Sequence, residues 1–98
     1  MSWKYTKTVS RNMKINTLRI AGRDFKVELV KGLADFGSTD FLNNKILIKD
    51  GINEDNIEST LVHECLEALN EIYDLNLSHQ TLQTLEAGIF QIIKDNKL

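Results

Sequence analysis

The chain has 98 residues, enough for one domain but near the lower limit of what can bury a sufficient core unaided. Its 42% hydrophobic and 27% charged residues are typical of a soluble globular protein, and no run approaches the roughly 18 apolar residues of a membrane span. The single cysteine, Cys65, excludes an intramolecular disulfide. Because residues 1–13 are polar and basic and lack the apolar core of a signal peptide, we expect a cytoplasmic protein.

Acidic and basic side chains are separated along the chain. Every Lys and Arg lies at or before Lys49 or at Lys94 and Lys97, whereas residues 50–93 contain acidic residues and both histidines but no basic residue. This distribution suits a site for a divalent cation, and a solvated acidic face is the alternative. The basic residues form no clustered stripe, so nucleic acid is not an expected partner, and neither is a membrane.

The first half of the chain predicts short strands. We expect residues 1–12 to be a basic lead-in that is disordered or adds an edge strand, and residues 13–98 to form a single domain. Turn residues at 21–24 and at 43–44 separate the members of two strand pairs. The predicted strands are Ile15–Ile20, Phe25–Val30, Gly37–Leu42 and Lys45–Lys49.

The second half predicts two amphipathic helices. Asn53 and Ser78 are the candidate N-caps, each flanked by apolar residues at the spacing of a hydrophobic staple. The predicted core stripe of the second helix consists of Leu82, Leu85, Ile89, Ile92 and Ile93. The chain is therefore predicted to be one α+β domain, a small antiparallel sheet of about four strands followed by two packed helices.

The most informative motif is the sequence HECLE at residues 63–67, in the first predicted helix. His63 and Glu67 are four residues apart and therefore share one helix face. With His79, from the first turn of the second helix, they supply two imidazoles and one carboxylate, a ligand set that suits zinc and leaves one position for water. Glu64 is the candidate general base for that water.

Glu86 leaves alternatives open. It lies seven residues after His79, within the span of the apolar stripe, where a carboxylate is costly unless it is paired or bound to a metal. It could replace His79 as third ligand, be a fourth ligand, or accept a hydrogen bond from a ligand imidazole. We favour His79, because one His with two carboxylates is a harder and less zinc-like set.

One interpretation without a metal function competes with this one, and the role of Cys65 is a separate question. The His and Glu side chains could form an ordinary solvated helix face, since a bare His-Glu-x-x-Glu string is weak evidence. Cys65 faces away from His63 on the helical wheel, which predicts a buried structural thiol rather than a nucleophile or a ligand.

From residue 45 onward the chain resembles the small zincin-like metallopeptidase proteins of bacteriophages and prophages, relatives of the ImmA/IrrE group. The similarity lies in KILIKDG (45–51), TLVHECLEALN (60–70) and LSHQTLQTLEAGIFQIIKDN (77–96). The resemblance implies a minimal zincin fold, in which a short sheet packs on an active-site helix and the edge strand receives an extended peptide.

The resemblance also implies that His63 is a zinc ligand and Glu64 is the catalytic Glu. Glu67 stands where the family more often has His, and His79 stands where an acidic ligand is expected. If the two positions have exchanged chemistry, a set of two His and one carboxylate survives. If they have not, the protein is a zincin fold that binds metal weakly and cleaves nothing.

We therefore predict a cytoplasmic, phage-encoded, zinc-dependent metallopeptidase-like protein. Water bound to zinc and deprotonated by Glu64 attacks a peptide bond of a peptide or protein substrate. The alternative is a non-catalytic, metal-stabilised interaction module that binds a host protein. The pattern indicates neither the substrate nor the oligomeric state.

Overall fold

A computed structural model describes residues 16–98, which form a four-stranded sheet and two helices. The predicted lead-in, residues 1–12, lies outside the described residues. The strands are β1 (Asn16–Ile20), β2 (Arg23–Val30), β3 (Gly37–Asp40) and β4 (Lys45–Lys49). The helices are α1 (Glu54–Ile72) and α2 (His79–Asp95). The prediction of an α+β fold with four strands before two helices is confirmed.

The sheet has the strand order β1-β2-β4-β3 and is mixed. The outer pairs β1–β2 and β3–β4 are antiparallel, as predicted, whereas the central strands β2 and β4 run parallel. This pairing sets Val27 beside Ile46, and both side chains are fully buried. The polar strand β3, Gly-Ser-Thr-Asp, is an edge strand and pairs with another strand, β4, on one side only.

The two turns within the strand pairs have different local causes. Ala21 and Gly22 have φ of 51° and 78°, so the first hairpin turns over two residues and β2 already begins at Arg23. In the second pair, the Asp40 carboxylate accepts hydrogen bonds from the backbone N–H groups of Leu42 and Asn43. That side-chain turn ends β3 at Asp40, two residues before the predicted end.

The hydrophobic core lies between the sheet and α1. Alternate side chains of the strands face the helix, as the period of two along a strand requires. The buried apolar residues of the sheet and of α1 that make up this cluster are Leu18, Ile20, Phe25, Val27, Ile46, Ile48, Ile57, Leu61 and Ala68. Both predicted N-caps are confirmed, since Asn53 accepts from the Asn56 N–H and Ser78 from the Thr81 N–H.

The predicted core stripe of α2 is correct only in part, because two of its five members are exposed while Ile89 and Ile93 are partly buried. Leu82 is the buried residue of this helix, while Leu85 and Ile92 are 40% and 49% exposed. The reason is that α2 packs mainly on α1 and not across the sheet, so its apolar face is wider than the surface that covers it. Within residues 16–98, neither helix is long and apolar enough to cross a bilayer.

The different burial of two leucines gives a direct test of this packing. We expect Leu61→Ala, which removes a 1% exposed side chain, to lower the free energy of unfolding by about 2–5 kcal/mol. Leu85→Ala should cost less than about 1 kcal/mol, because the side chain is already 40% exposed. Urea denaturation of both variants measures the difference. Equal losses would show that α2 is buried as deeply as α1.

Candidate functional site

A cleft of about 740 Å³ opens between β3, α1 and the first half of α2. All five ionisable residues singled out in the sequence line it, namely His63, Glu64, Glu67, His79 and Glu86. The opposite wall comes from β3 and the loop before it, and includes Asp35, Phe36, Gly37 and Thr39. The fold therefore brings the candidate residues of both helices to one cavity beside an edge strand.

Glu64 is held at the base of this cleft by β3. Its side chain is buried, with a relative exposure of 6%, and Thr39 Oγ1 donates a hydrogen bond of 2.8 Å to Glu64 Oε1. Burial raises the pKa of Glu64 above its ordinary value, and the hydrogen bond from Thr39 opposes that effect only in part. A carboxylate with a raised pKa is a stronger base, which is the property that proton abstraction from water requires.

The close approach of β3 to α1 depends on Gly37. A Cβ atom at this position would lie 2.5 Å from Thr60 Cγ2 and 3.2 Å from Glu64 Cγ. Gly37 and Thr39 are two residues apart on the strand and so point to the same face, towards α1. Neither residue was among the predicted site residues, although the Gly-x-Thr alternation of this polar strand was a signal for them.

His63 is bonded to Glu86 across the two helices. The distance from His63 Nδ1 to Glu86 Oε1 is 2.7 Å, and the two side chains are only 24% and 27% exposed. Of the alternatives for Glu86, the structure shows the hydrogen-bond partner of an imidazole. When Nδ1 of the neutral ring donates to this carboxylate, Nε2 carries the lone pair that a metal can use.

Glu67 and His79, the other two candidate ligands, also line the cleft, but they do not form a complete coordination site with His63. The ring centroids of His63 and His79 are 6.4 Å apart with an interplanar angle of 75°, and His79 is exposed to solvent. Glu67 is partly buried. In the described part of the chain, no group of three or more His, Cys, Asp or Glu side chains forms a ready-made metal site. The donor types suit zinc, whereas their arrangement requires movement of side chains.

Cys65 takes no part in the cleft. The thiol is partly buried and is not a lining residue. Burial raises its pKa to about 12, so the thiolate is scarce at neutral pH. This is the property expected of a structural cysteine.

Part of the acidic segment is neutralised by a contact that local spacing does not reveal. Lys94 Nζ, near the end of α2, lies 3.1 Å from Asp55 Oδ1 and 3.0 Å from Glu58 Oε1 in the first turns of α1. These hydrogen bonds raise the pKa of Lys94. Asp55 and Glu58 therefore have a basic partner from outside the acidic segment, whereas no Lys or Arg is among the residues that line the cleft in the described part of the chain.

No protein-family model, curated protein or solved structure matches this chain.

Substitution by alanine should change the stability of the protein in opposite directions at Gly37 and at Gly88. We expect Gly37→Ala to lower the free energy of unfolding by about 1–3 kcal/mol, because the new methyl group pushes β3 away from Thr60. Gly88→Ala is the matched control, since a Cβ there meets open space and should stabilise α2 by about 0.5–1 kcal/mol. Thermal or urea unfolding measures both. A Gly37→Ala variant as stable as the wild type would contradict the close contact of β3 with Thr60 and Glu64.

The raised pKa of Glu64 predicts a pH-dependent effect of Glu64→Gln. Ionising a buried carboxyl opposes folding, so the wild type is destabilised as pH rises through the raised folded-state pKa of Glu64. The amide keeps an acceptor for Thr39 but carries no charge. Melting temperatures of the two proteins should therefore agree at pH below about 4, where the carboxyl is protonated, and the variant should become the more stable as pH rises to 7. A gap that is constant with pH would contradict the assignment.

Proposed function

We propose that the chain is a cytoplasmic, zinc-dependent metallopeptidase-like protein of the minimal zincin type, similar to the phage and prophage proteins related to ImmA/IrrE. In this proposal His63, Glu67 and His79 hold the zinc ion and Glu64 is the general base. The observation that carries it is the convergence of all these side chains on one cleft, with Glu64 buried and anchored by Thr39.

The donor chemistry supports zinc. Two imidazoles and one carboxylate are a common catalytic set. A hydrogen bond donated by His63 Nδ1 to Glu86 would orient the ring with Nε2 available. Because the described donors do not form a complete coordination site, zinc binding would require side chains of the cleft to reorient. When bound, zinc would supply Lewis-acid polarisation of a peptide carbonyl and acidify a water molecule.

The protein's own groups account for the proton transfers. In the proposed reaction, one carboxylate oxygen of Glu64 stays bonded to Thr39, and the other takes a proton from the attacking water. Glu64 then returns that proton to the nitrogen of the leaving amine as the peptide C–N bond breaks. Burial favours this exchange, because it keeps the pKa of Glu64 above that of an exposed carboxyl.

The position of β3 supports an extended peptide as substrate. Of the four described strands, β3 is the edge strand on the cleft side, and it runs directly past Glu64. A peptide that pairs with the outer side of β3 would present its backbone carbonyls to the cleft by strand addition.

An interaction module is the second candidate. It is favoured by the exposed apolar side chains of Leu85 and Ile92 on α2, and by Phe36 at the cleft, which is 48% exposed. Exposed apolar groups of this kind occur at protein-binding surfaces. Glu64→Gln separates the two candidates, because it abolishes the biological effect of a peptidase and leaves that of a binding module intact.

The metal proposal predicts graded losses of zinc affinity. Equilibrium dialysis of the full chain with zinc, read by elemental analysis, should show stoichiometric binding that His63→Ala removes. Glu86→Gln should weaken binding by about 10–100-fold, since the imidazole loses its carboxylate partner. Glu71→Gln, at an exposed position of α1 outside the cleft, is the control and should bind as the wild type does.

Turnover is tested on the same zinc-loaded proteins with a peptide library and mass spectrometry. Glu64→Gln should keep its zinc and lose hydrolysis by at least about 100-fold. Wild-type protein without stoichiometric zinc would refute the metal site. Hydrolysis by Glu64→Gln at the wild-type rate would refute the role of Glu64 as base.

A further inference from the structure

The cleft is acidic: it is lined by four carboxylates, of which Glu86 is bonded to His63, and by one further histidine, His79. Its lining includes the carboxylates of Asp35, Glu64, Glu67 and Glu86, and none of the lining residues in the described part of the chain is Lys or Arg. Lys94 lies on Asp55 and Glu58 and is not among the lining residues. Such a concave surface attracts a cationic ligand, and Phe36 and Phe41 add apolar area to the same wall.

The chain itself contains a segment with the complementary composition. Residues 1–15, which precede β1 and lie outside the described residues, contain Lys4, Lys7, Arg11 and Lys14 and no acidic residue. All 14 acidic side chains lie in residues 16–98. The same segment contains Trp3, the single tryptophan, and Tyr5, which suit an apolar wall.

The register of the sheet gives the distance from the start of β1 to the cleft wall, and the length of the segment can be compared with that distance. Asn16 pairs with Val27, and Gly37 pairs with Ile48, which in turn pairs with Leu29. The segment therefore joins the sheet at the same end as the cleft wall, three strand spacings away, or about 14 Å. Fifteen extended residues span about 50 Å, against a largest dimension of 35 Å for the described part of the chain.

We propose that residues 1–15 are an intramolecular ligand of the cleft, with their basic side chains on its carboxylates and Trp3 on its aromatic wall. The docking depends on the charge and position of the cleft alone. Its consequence, competition between this segment and a peptide substrate, rests on the proposed peptidase function.

Trp3 makes the docking measurable in the full chain without zinc. Tryptophan emission reports the environment of this segment alone, because the chain has no other tryptophan. In chelator-treated protein at low salt, we expect blue-shifted emission and protection from acrylamide. Salt at about 1 M should remove both, since it screens exposed charges beyond about 3 Å.

Charge reversal of the cleft supplies the decisive comparison. Asp35→Lys with Glu67→Lys should raise the acrylamide quenching constant at least about twofold. Adding Lys7→Glu with Arg11→Glu to that protein should restore the wild-type value. The control pair, Glu71→Lys with Asp95→Lys, changes the net charge equally at exposed sites outside the cleft and should leave quenching unchanged. Circular dichroism verifies that each variant is folded.

Two results would overturn the proposal. One is a Trp3 quenching constant that is equal in the wild type, the cleft variant and the control pair. The other is protection that appears only as protein concentration rises, because it would place the segment on a second copy of the chain. Neither measurement needs zinc or turnover, so a failure of the proposed peptidase function leaves this test unaffected, and the reverse also holds.

Discussion

The contact between β3 and α1 is the constraint on which the site depends. Gly37 lets the strand approach Thr60, and Thr39 holds Glu64 by one hydrogen bond. Because the strand is held there, Glu64 is removed from water, and that removal raises its pKa. The same contact leaves the outer side of β3 along the cleft, so the candidate base and the strand that could receive a peptide are positioned together.

The fold was predictable where local signals and burial agree. Caps at Asn53 and Ser78 fixed both helix starts, and alternating apolar residues identified the strands. The parallel pairing of β2 with β4 was not predictable, because the two hairpins could pair through either strand of each. Helical periodicity likewise identified the apolar face of α2 but not which element packs against it. Leu85 and Ile92 are exposed because α2 packs mainly on α1.

The residues of the candidate site were predictable from type and spacing, but their contacts were not. Four-residue spacing placed His63 and Glu67 on one face, and a carboxylate within an apolar stripe indicated that Glu86 needs a partner. That the partner is His63 depends on how the helices pack, which no spacing within one helix determines. Thr39 and Lys94 were missed for the same reason, since their bonds to Glu64 and Glu58 join distant parts of the chain.

The central proposal is that His63, oriented by Glu86, forms a metal centre with the other two donors of the cleft, beside Glu64 as the proposed base. Anomalous diffraction at the zinc edge from crystals of the zinc-loaded full chain tests it most directly. The account predicts a single strong peak in the cleft, bonded to His63 Nε2, Glu67 and His79, with Glu86 still on Nδ1 and Glu64 beside the ion without coordinating it. A peak outside the cleft, or direct coordination by Glu64, would contradict it.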